Sequence, residues 1–243
     1  MNASAATVKS PLLFGWNPGF VLPLLACIVG GFLGGVIVHQ IHPLFAYEDL
    51  PPIELGASAE LVELHREAGS KYHSHNYGVE LAIVGLVLGL AFGLLAGGPK
   101  RLFAGIAGGL GGASAGGSLG YFGGRIVANS LFQNQQQTLQ ASMGLQSIVW
   151  GLIIASIVWF VAAVNVGLIR SLQYGIVGLI AGGVVAVAQF VISSFMFPTA
   201  NPLFLIPEES SERIYWLLAF PIVSGLVLAI GLSRLSATSR SEQ

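Results

Sequence analysis

Six stretches of this chain, at roughly 19–39, 80–98, 102–127, 146–169, 172–197 and 214–234, are long, apolar and free of charge near their centres. About 20 apolar residues cross a bilayer as an α-helix. Hydrocarbon offers no partner for a backbone N–H or C=O, so each such stretch has to pair its own backbone by folding as a helix. The expected fold class is therefore all-α: a polytopic membrane bundle of six transmembrane helices. Composition points the same way. Of 243 residues 54% are hydrophobic and 9% charged, with a mean hydropathy of +0.77, whereas soluble domains are about 25% charged.

Lys9 ahead of the first stretch gives it the look of a signal peptide. Its apolar run from Phe20 to Val38 is longer than the ~7–15 residues of a signal h-region, so a retained helix is expected. If all six stretches cross, Lys9, Lys100, Arg101, Arg170, Arg234 and Arg240 fall on one side. Arg66, Lys71 and Arg213 fall on the other, with Arg125 near the outer end of the third span. An excess of Lys and Arg marks the cytoplasmic side, which places both termini there. Ten of the eleven acids lie outside, and Trp16, Trp150 and Trp216 stand near span ends, as interfacial aromatics do.

The expected organisation is then a cytoplasmic segment over 1–18, a first helix over 19–39 and an outer loop over 40–79. A first hairpin over 80–127, an outer loop over 128–145 and a second hairpin over 146–197 follow. An outer loop over 198–213, a last helix over 214–234 and a cytoplasmic tail over 235–243 complete the chain. Within the long outer loop, residues 58–72 read as an amphipathic helix. Leu61, Leu64 and Ala68 form its apolar strip, and Glu67 and Lys71 are placed for an i,i+4 pair.

Glycine gives the bundle its pattern, with 33 residues in all. Gly85, Gly89, Gly93 and Gly97 recur every four residues in the second span, and Gly108, Gly112, Gly116, Gly120 and Gly124 do so in the third. Four residues is slightly more than one helical turn, so each series is a slowly winding stripe on one face. Small residues let helix backbones approach closely, which drives helix association in lipid. In water the ten glycines between 105 and 124 would cost a helix roughly 1 kcal/mol each. Such a stripe ordinarily packs helices of one chain. The sharper reading has the third helix packing between chains as a ring or pore, with Gly105, Gly109 and Gly117 supplying a second stripe.

A repeat at an offset of 70 residues joins these helices. Lys100, Leu102, Gly105, Ile106, Gly108 and Gly112 match Arg170, Leu172, Gly175, Ile176, Gly178 and Gly182. Helices two–three and four–five thus form two hairpins of equal orientation, a parallel repeat of a kind found in some transporters. The second and third spans with their basic turn, together with Phe197-Pro198-x-Ala200 and Ser211-x-Arg213, resemble a loose class of uncharacterised bacterial multi-span glycine-zipper membrane proteins. The resemblance implies a bacterial inner membrane, implies no known activity and carries over no functional residue.

All five histidines lie between 39 and 75: His39 and His42 at the end of the first helix, then His65, His73 and His75 in the outer loop with six acids. Imidazoles and carboxylates together bind zinc, copper or iron, so a metal ion is the one cofactor the sequence admits. His39 and His42 would share a helix face, whereas His73 and His75 could share an ion only in an extended segment. No span carries a central ionisable group, which argues against a proton-driven carrier. At the margins, Glu80 and Arg125 are expected to pair, Asn165 and Gln189 to bond between helices, and Pro221 to kink the last span.

Other chemistry is excluded. A single Cys27 rules out a disulfide framework. No Walker loop, dinucleotide fingerprint or HExxH motif is present, and no nucleophile–base arrangement can be assembled, so no enzyme is expected. A net charge of −1 gives no nucleic-acid footprint. Three expectations remain. The first is a non-enzymatic scaffold or subunit assembled by glycine-zipper packing, as a homo-oligomer or with other membrane subunits. The others are a channel or passive transporter with its pore beside the third helix, and a metal-binding protein using the outer histidines.

Overall fold

The computed structural model describes residues 18–53, 56–132, 139–198 and 204–241. They form α1 (Val21–Ile41), α2 (Ala59–Ala96), a short 3₁₀ turn (Gly98–Lys100), α3 (Arg101–Phe132), α4 (Leu139–Val166), α5 (Leu168–Met196) and α6 (Ser210–Ser241). No strand occurs among the described residues. Each helix packs on the next in chain order, α6 closes against α1, and α2 also touches α4. Lys9, Trp16 and Glu242 lie outside the described residues.

Five helices, α1, α2, α4, α5 and α6, are long and apolar enough to cross a membrane, and they mark the chain as an integral membrane protein. The sixth, α3, is not among them. Its ten glycines add length while contributing almost nothing to hydropathy.

The largest departure from the expected organisation is α2. At 38 residues it extends ~57 Å, about twice the hydrocarbon thickness. The amphipathic stretch at 58–72 and the segment leading to residue 79 are therefore one helix with the second span. Ser58 begins it, its Oγ accepting from the Leu61 N–H at 3.2 Å. The helix continues because the α3 stripe beside it continues: Gly116, Gly120 and Gly124 lie against the backbone of Leu81, Tyr77 and His73. The expected loop at 128–145 is also shorter, since α3 runs to 132 and α4 starts at 139.

The core runs through the centre, with Leu81, Leu88 and Phe92 of α2, Ile153 and Ile157 of α4, and Phe220 and Leu228 of α6. Trp150 and Trp216 are buried in it rather than placed at the lipid surface as expected. Their rings lie 4.4 and 6.5 Å from that of Phe220. Pro221 sits within a helix that runs unbroken from 210 to 241, and its ring occupies the space where Gly31 of α1 has no side chain. Phe103, Leu110 and Phe122 of α3 and Ile169, Ile176 and Phe195 of α5 point outward. An exposed apolar belt of this extent suits lipid and not water.

Candidate functional site

The glycines of the two stripes face each other within one chain. A Cβ on Gly85 would collide with the carbonyl of Gly112, one on Gly89 with the carbonyl of Gly108, and one on Gly93 with the backbone of Ala104. Each step of four along α2 matches a step of four back along α3, as antiparallel register requires. Gly97 lies against Ala104 at the turn. The second stripe of α3 is also occupied, with Gly105 against Leu94 and Gly109 against Leu90. On the other side, Gly108, Gly111 and Gly112 receive Val161, Phe160 and Ile157 of α4. Apart from Gly117, which is only partly covered, the glycines of α3 are thus enclosed by backbone and side chains.

The histidines disperse. Helix α1 stops at Ile41, and His42 turns into extended backbone with ψ of 132°, which carries it away from His39. The His42 Nδ1 instead donates to Glu80 Oε1 at 2.8 Å, both side chains being buried. The Nε2 of His65 donates to the Pro51 carbonyl at 2.7 Å. His73 is buried, with its ring stacked 5.4 Å from Phe204. His75 is exposed, 6.1 Å from the ring of Tyr121. Because α2 is continuous, His73 and His75 point about 200° apart. Among the described residues no group of three His, Cys, Asp or Glu could hold a metal ion; the expected outer metal cluster is not assembled.

What this end of the bundle assembles is a buried polar knot around Glu80. The backbone N–H of Phe45 donates to Asn76 Oδ1 at 2.8 Å, and Asn76 Nδ2 returns a bond to the Phe45 carbonyl at 3.0 Å. That fully buried asparagine clips the loop after His42 onto α2. Arg213 donates to the Pro207 and Glu208 carbonyls at 3.0 and 2.8 Å. Glu80 Oε2, the Tyr77 hydroxyl, His73 Nδ1 and Arg213 Nε have no hydrogen-bond partner among the described residues. The side chain of Glu208 sits at the rim of this knot. Protein packed around its carboxyl raises its pKa above the usual value, while the His42 and Arg213 charges oppose the rise. Nothing in the sequence signals Asn76, since a polar residue on a helix face reads as solvated.

Several expected pairs are exchanged. Glu80 binds His42 and not Arg125. Lys71 pairs with Glu48 at 3.3 Å in place of Glu67, and Arg66 pairs with Glu63. Asn165 Nδ2 bonds back to the Val161 carbonyl of its own helix at 2.9 Å, and buried Gln189 Nε2 has no partner among the described residues. The bond between helices comes instead from Ser193 of α5, whose hydroxyl donates to Glu212 of α6 at 2.7 Å and accepts from Trp216 Nε1 at 3.2 Å.

Between the N-terminal half of α2 and the C-terminal end of α3 an open cleft of about 400 Å³ gathers Arg66, Lys71 and Arg125 with Glu67, Ser70, Ser74, His75, Tyr121 and Asn129. It therefore brings together three of the four basic residues expected on the outer side, in a neighbourhood otherwise rich in acids.

No protein-family model, no curated protein and no solved structure matches this chain.

Proposed function

We propose that this chain is a non-enzymatic, six-span integral membrane protein that serves as a scaffold or subunit of a membrane complex, with both termini on the cytoplasmic face of a bacterial inner membrane. The observation that carries the reading is the filled bundle. Most glycines of α3 are spent on α2 and α4 of the same chain, which supports a packed bundle over a pore beside α3. The large apolar side chains of α3, Phe103, Leu110 and Phe122, face outward, where lipid or a neighbouring subunit would meet them. Small residues inside and large ones outside make a rigid protomer whose outer faces are free to dock.

The same packing supports a sixth crossing. Helix α3 is 32 residues long and lies antiparallel along the apolar half of α2. A helix paired in that way crosses with its partner even though its own hydropathy is low.

Purification from native membranes in several mild detergents tests the reading. A stable homo-oligomer or a defined set of co-purifying subunits is the expected result. Monodisperse monomers without co-purifying subunits throughout would contradict it. Accessibility of single cysteines at positions 71, 100, 170 and 234 tests the six crossings. The last three are expected to label from one side and position 71 from the other.

A further inference from the structure

The cationic cleft between α2 and α3 stands apart from both the packing lattice and the buried knot. Its three bases are not equally committed. Arg66 is held by Glu63 and reaches across to Asn129 at 3.2 Å, bridging the two helices. Lys71 makes one long bond, 3.3 Å, to exposed Glu48. An exposed ion pair of this sort is weak, so Lys71 can exchange Glu48 for another anion. Arg125 makes no ion pair among the described residues. The Ser70 and Tyr121 hydroxyls and the His75 imidazole add polar groups to the lining, and Glu67 is its one acid.

The surface below the cleft is of a different kind. Descending α2 from Lys71 and His75 come Gly78, Ala82 and Leu86; descending α3 from Arg125 come Tyr121 and Gly117. Gly78 lies beside the Gly117 carbonyl and Tyr121, and Ala82 beside Gly117. These small residues are only partly covered, so they leave a shallow apolar groove that begins where the cations end. Phe122 and Ile126, exposed on either side of Arg125 along the helix, make the surface around the mouth of the cleft apolar. A free cytosolic or external anion needs the cations but has no use for the groove.

We propose that this cleft binds the phosphate of an anionic phospholipid headgroup, with Arg125 and Lys71 as its charged contacts and an acyl chain lying along Gly78, Ala82 and Gly117. Basic pockets between membrane helices are suited to such headgroups, and each cation near the surface contributes roughly fivefold in affinity. The inference rests on the chain lying in a bilayer and is independent of the scaffold reading.

The test uses the full chain, extracted from vesicles of equimolar phosphatidylcholine and phosphatidylglycerol, with retained lipid read by native mass spectrometry. Phosphatidylglycerol is expected to be enriched on the unaltered protein. Lys71→Ala with Arg125→Ala is expected to cut that retention by roughly thirtyfold, and Arg101→Ala, at the other end of α3, to leave it unchanged. The charge-keeping Lys71→Arg with Arg125→Lys is expected to retain the lipid, which separates loss of charge from loss of fold. Equal retention by the double alanine variant, with its helical signal intact, would overturn the proposal. So would displacement of the lipid by inorganic phosphate alone, which would assign the cleft to a soluble phosphate ester. A monomeric protein that still enriches phosphatidylglycerol would defeat the scaffold reading and leave this one standing.

Discussion

The α2–α3 and α4–α5 hairpins carry the same repeated string, yet they pack differently. In the first, a Cβ added at Gly85, Gly89 or Gly93 would strike backbone on the opposing helix. In the second, a Cβ at Gly175 would lie 3.2 Å from Trp159 Cβ, and one at Gly178 2.9 Å from Ala155 Cα. Close approach requires small residues on both helices. The partner stripe on α2 supplies glycine three times, whereas α4 supplies Gly151, Ala155 and Trp159. Register differs too. Gly112 faces Gly85, and the 70-residue offset would put Gly182 opposite position 155; it faces Gly151 instead, one four-residue step away. The turns explain the slip. The first hairpin turns through a 3₁₀ segment at 98–100, the second at Gly167 alone with φ of +86°. A duplicated sequence therefore fixes which face packs, and the turn and the opposing helix decide how closely and in what register.

The sharpest way to break this comparison is a large side chain at matched positions. Gly112→Leu is expected to abolish the folded state in thermal unfolding monitored by circular dichroism, while Gly182→Leu destabilises without abolishing it. Overpacking in a close-packed interior costs ~1–3 kcal/mol, more where backbone blocks relaxation. Next in size is His42→Ala, which leaves Glu80 buried with neither oxygen bonded. Breaking one side of a buried pair costs about 3–5 kcal/mol, so a large drop in midpoint is expected from a residue on neither hairpin turn. A loss no greater than that of a surface substitution would show that the α1–α2 clasp contributes little.

Alanine sharpens what leucine breaks. Gly85→Ala is expected to cost roughly 1–3 kcal/mol, since its Cβ meets the Gly112 backbone. Gly183→Ala is expected to gain up to about 1 kcal/mol from helix propensity, because its Cβ would meet only the Ser147 carbonyl at 3.6 Å. Equal effects at the two sites would remove the difference between the hairpins.

The smallest effect is on pH dependence at Glu208. Its pKa is raised on folding by the protein packed around it. Its contribution to stability is therefore complete below the ordinary carboxylate pKa and is lost as pH rises through the raised value. Glu208→Gln is expected to remove that acid-side gain, by less than about 1 kcal/mol because the residue is largely exposed. A wild-type advantage that grows toward neutral pH would contradict the sign.

Much of this architecture was legible in the residues because hydrocarbon leaves the backbone so few options. The apolar stretches located the helices, and the four-residue glycine period named the contact faces. Legibility failed where a contact depended on residues distant in sequence. The charges of Glu60–Lys71 suggested a break before the second span, but a helix can leave the membrane and continue when its neighbour continues beside it, as α3 does. Glu80 and Arg125 looked paired because both sit at outer ends; His42 reached Glu80 first because α1 stops one residue earlier. Trp150 and Trp216 looked interfacial from their place in the chain, but they meet partners distant in sequence, Phe220 of α6 for Trp150 and Ser193 of α5 for Trp216. The cleft was hidden for the same reason, since its cations come from helix turns 54 residues apart, between Lys71 and Arg125.

The central claim is that the glycine stripes join α2 to α3 within one chain. A Cβ on Gly117 would lie 3.5 Å from the Cβ of Ala82, inside the ~3.5–4.5 Å range that a disulfide spans. Ala82→Cys with Gly117→Cys, in a Cys27→Ala background, is expected to oxidise to a cross-link within the monomer, seen as a faster-migrating band of unchanged mass. A cross-linked dimer, or no cross-link in folded protein, would contradict the account.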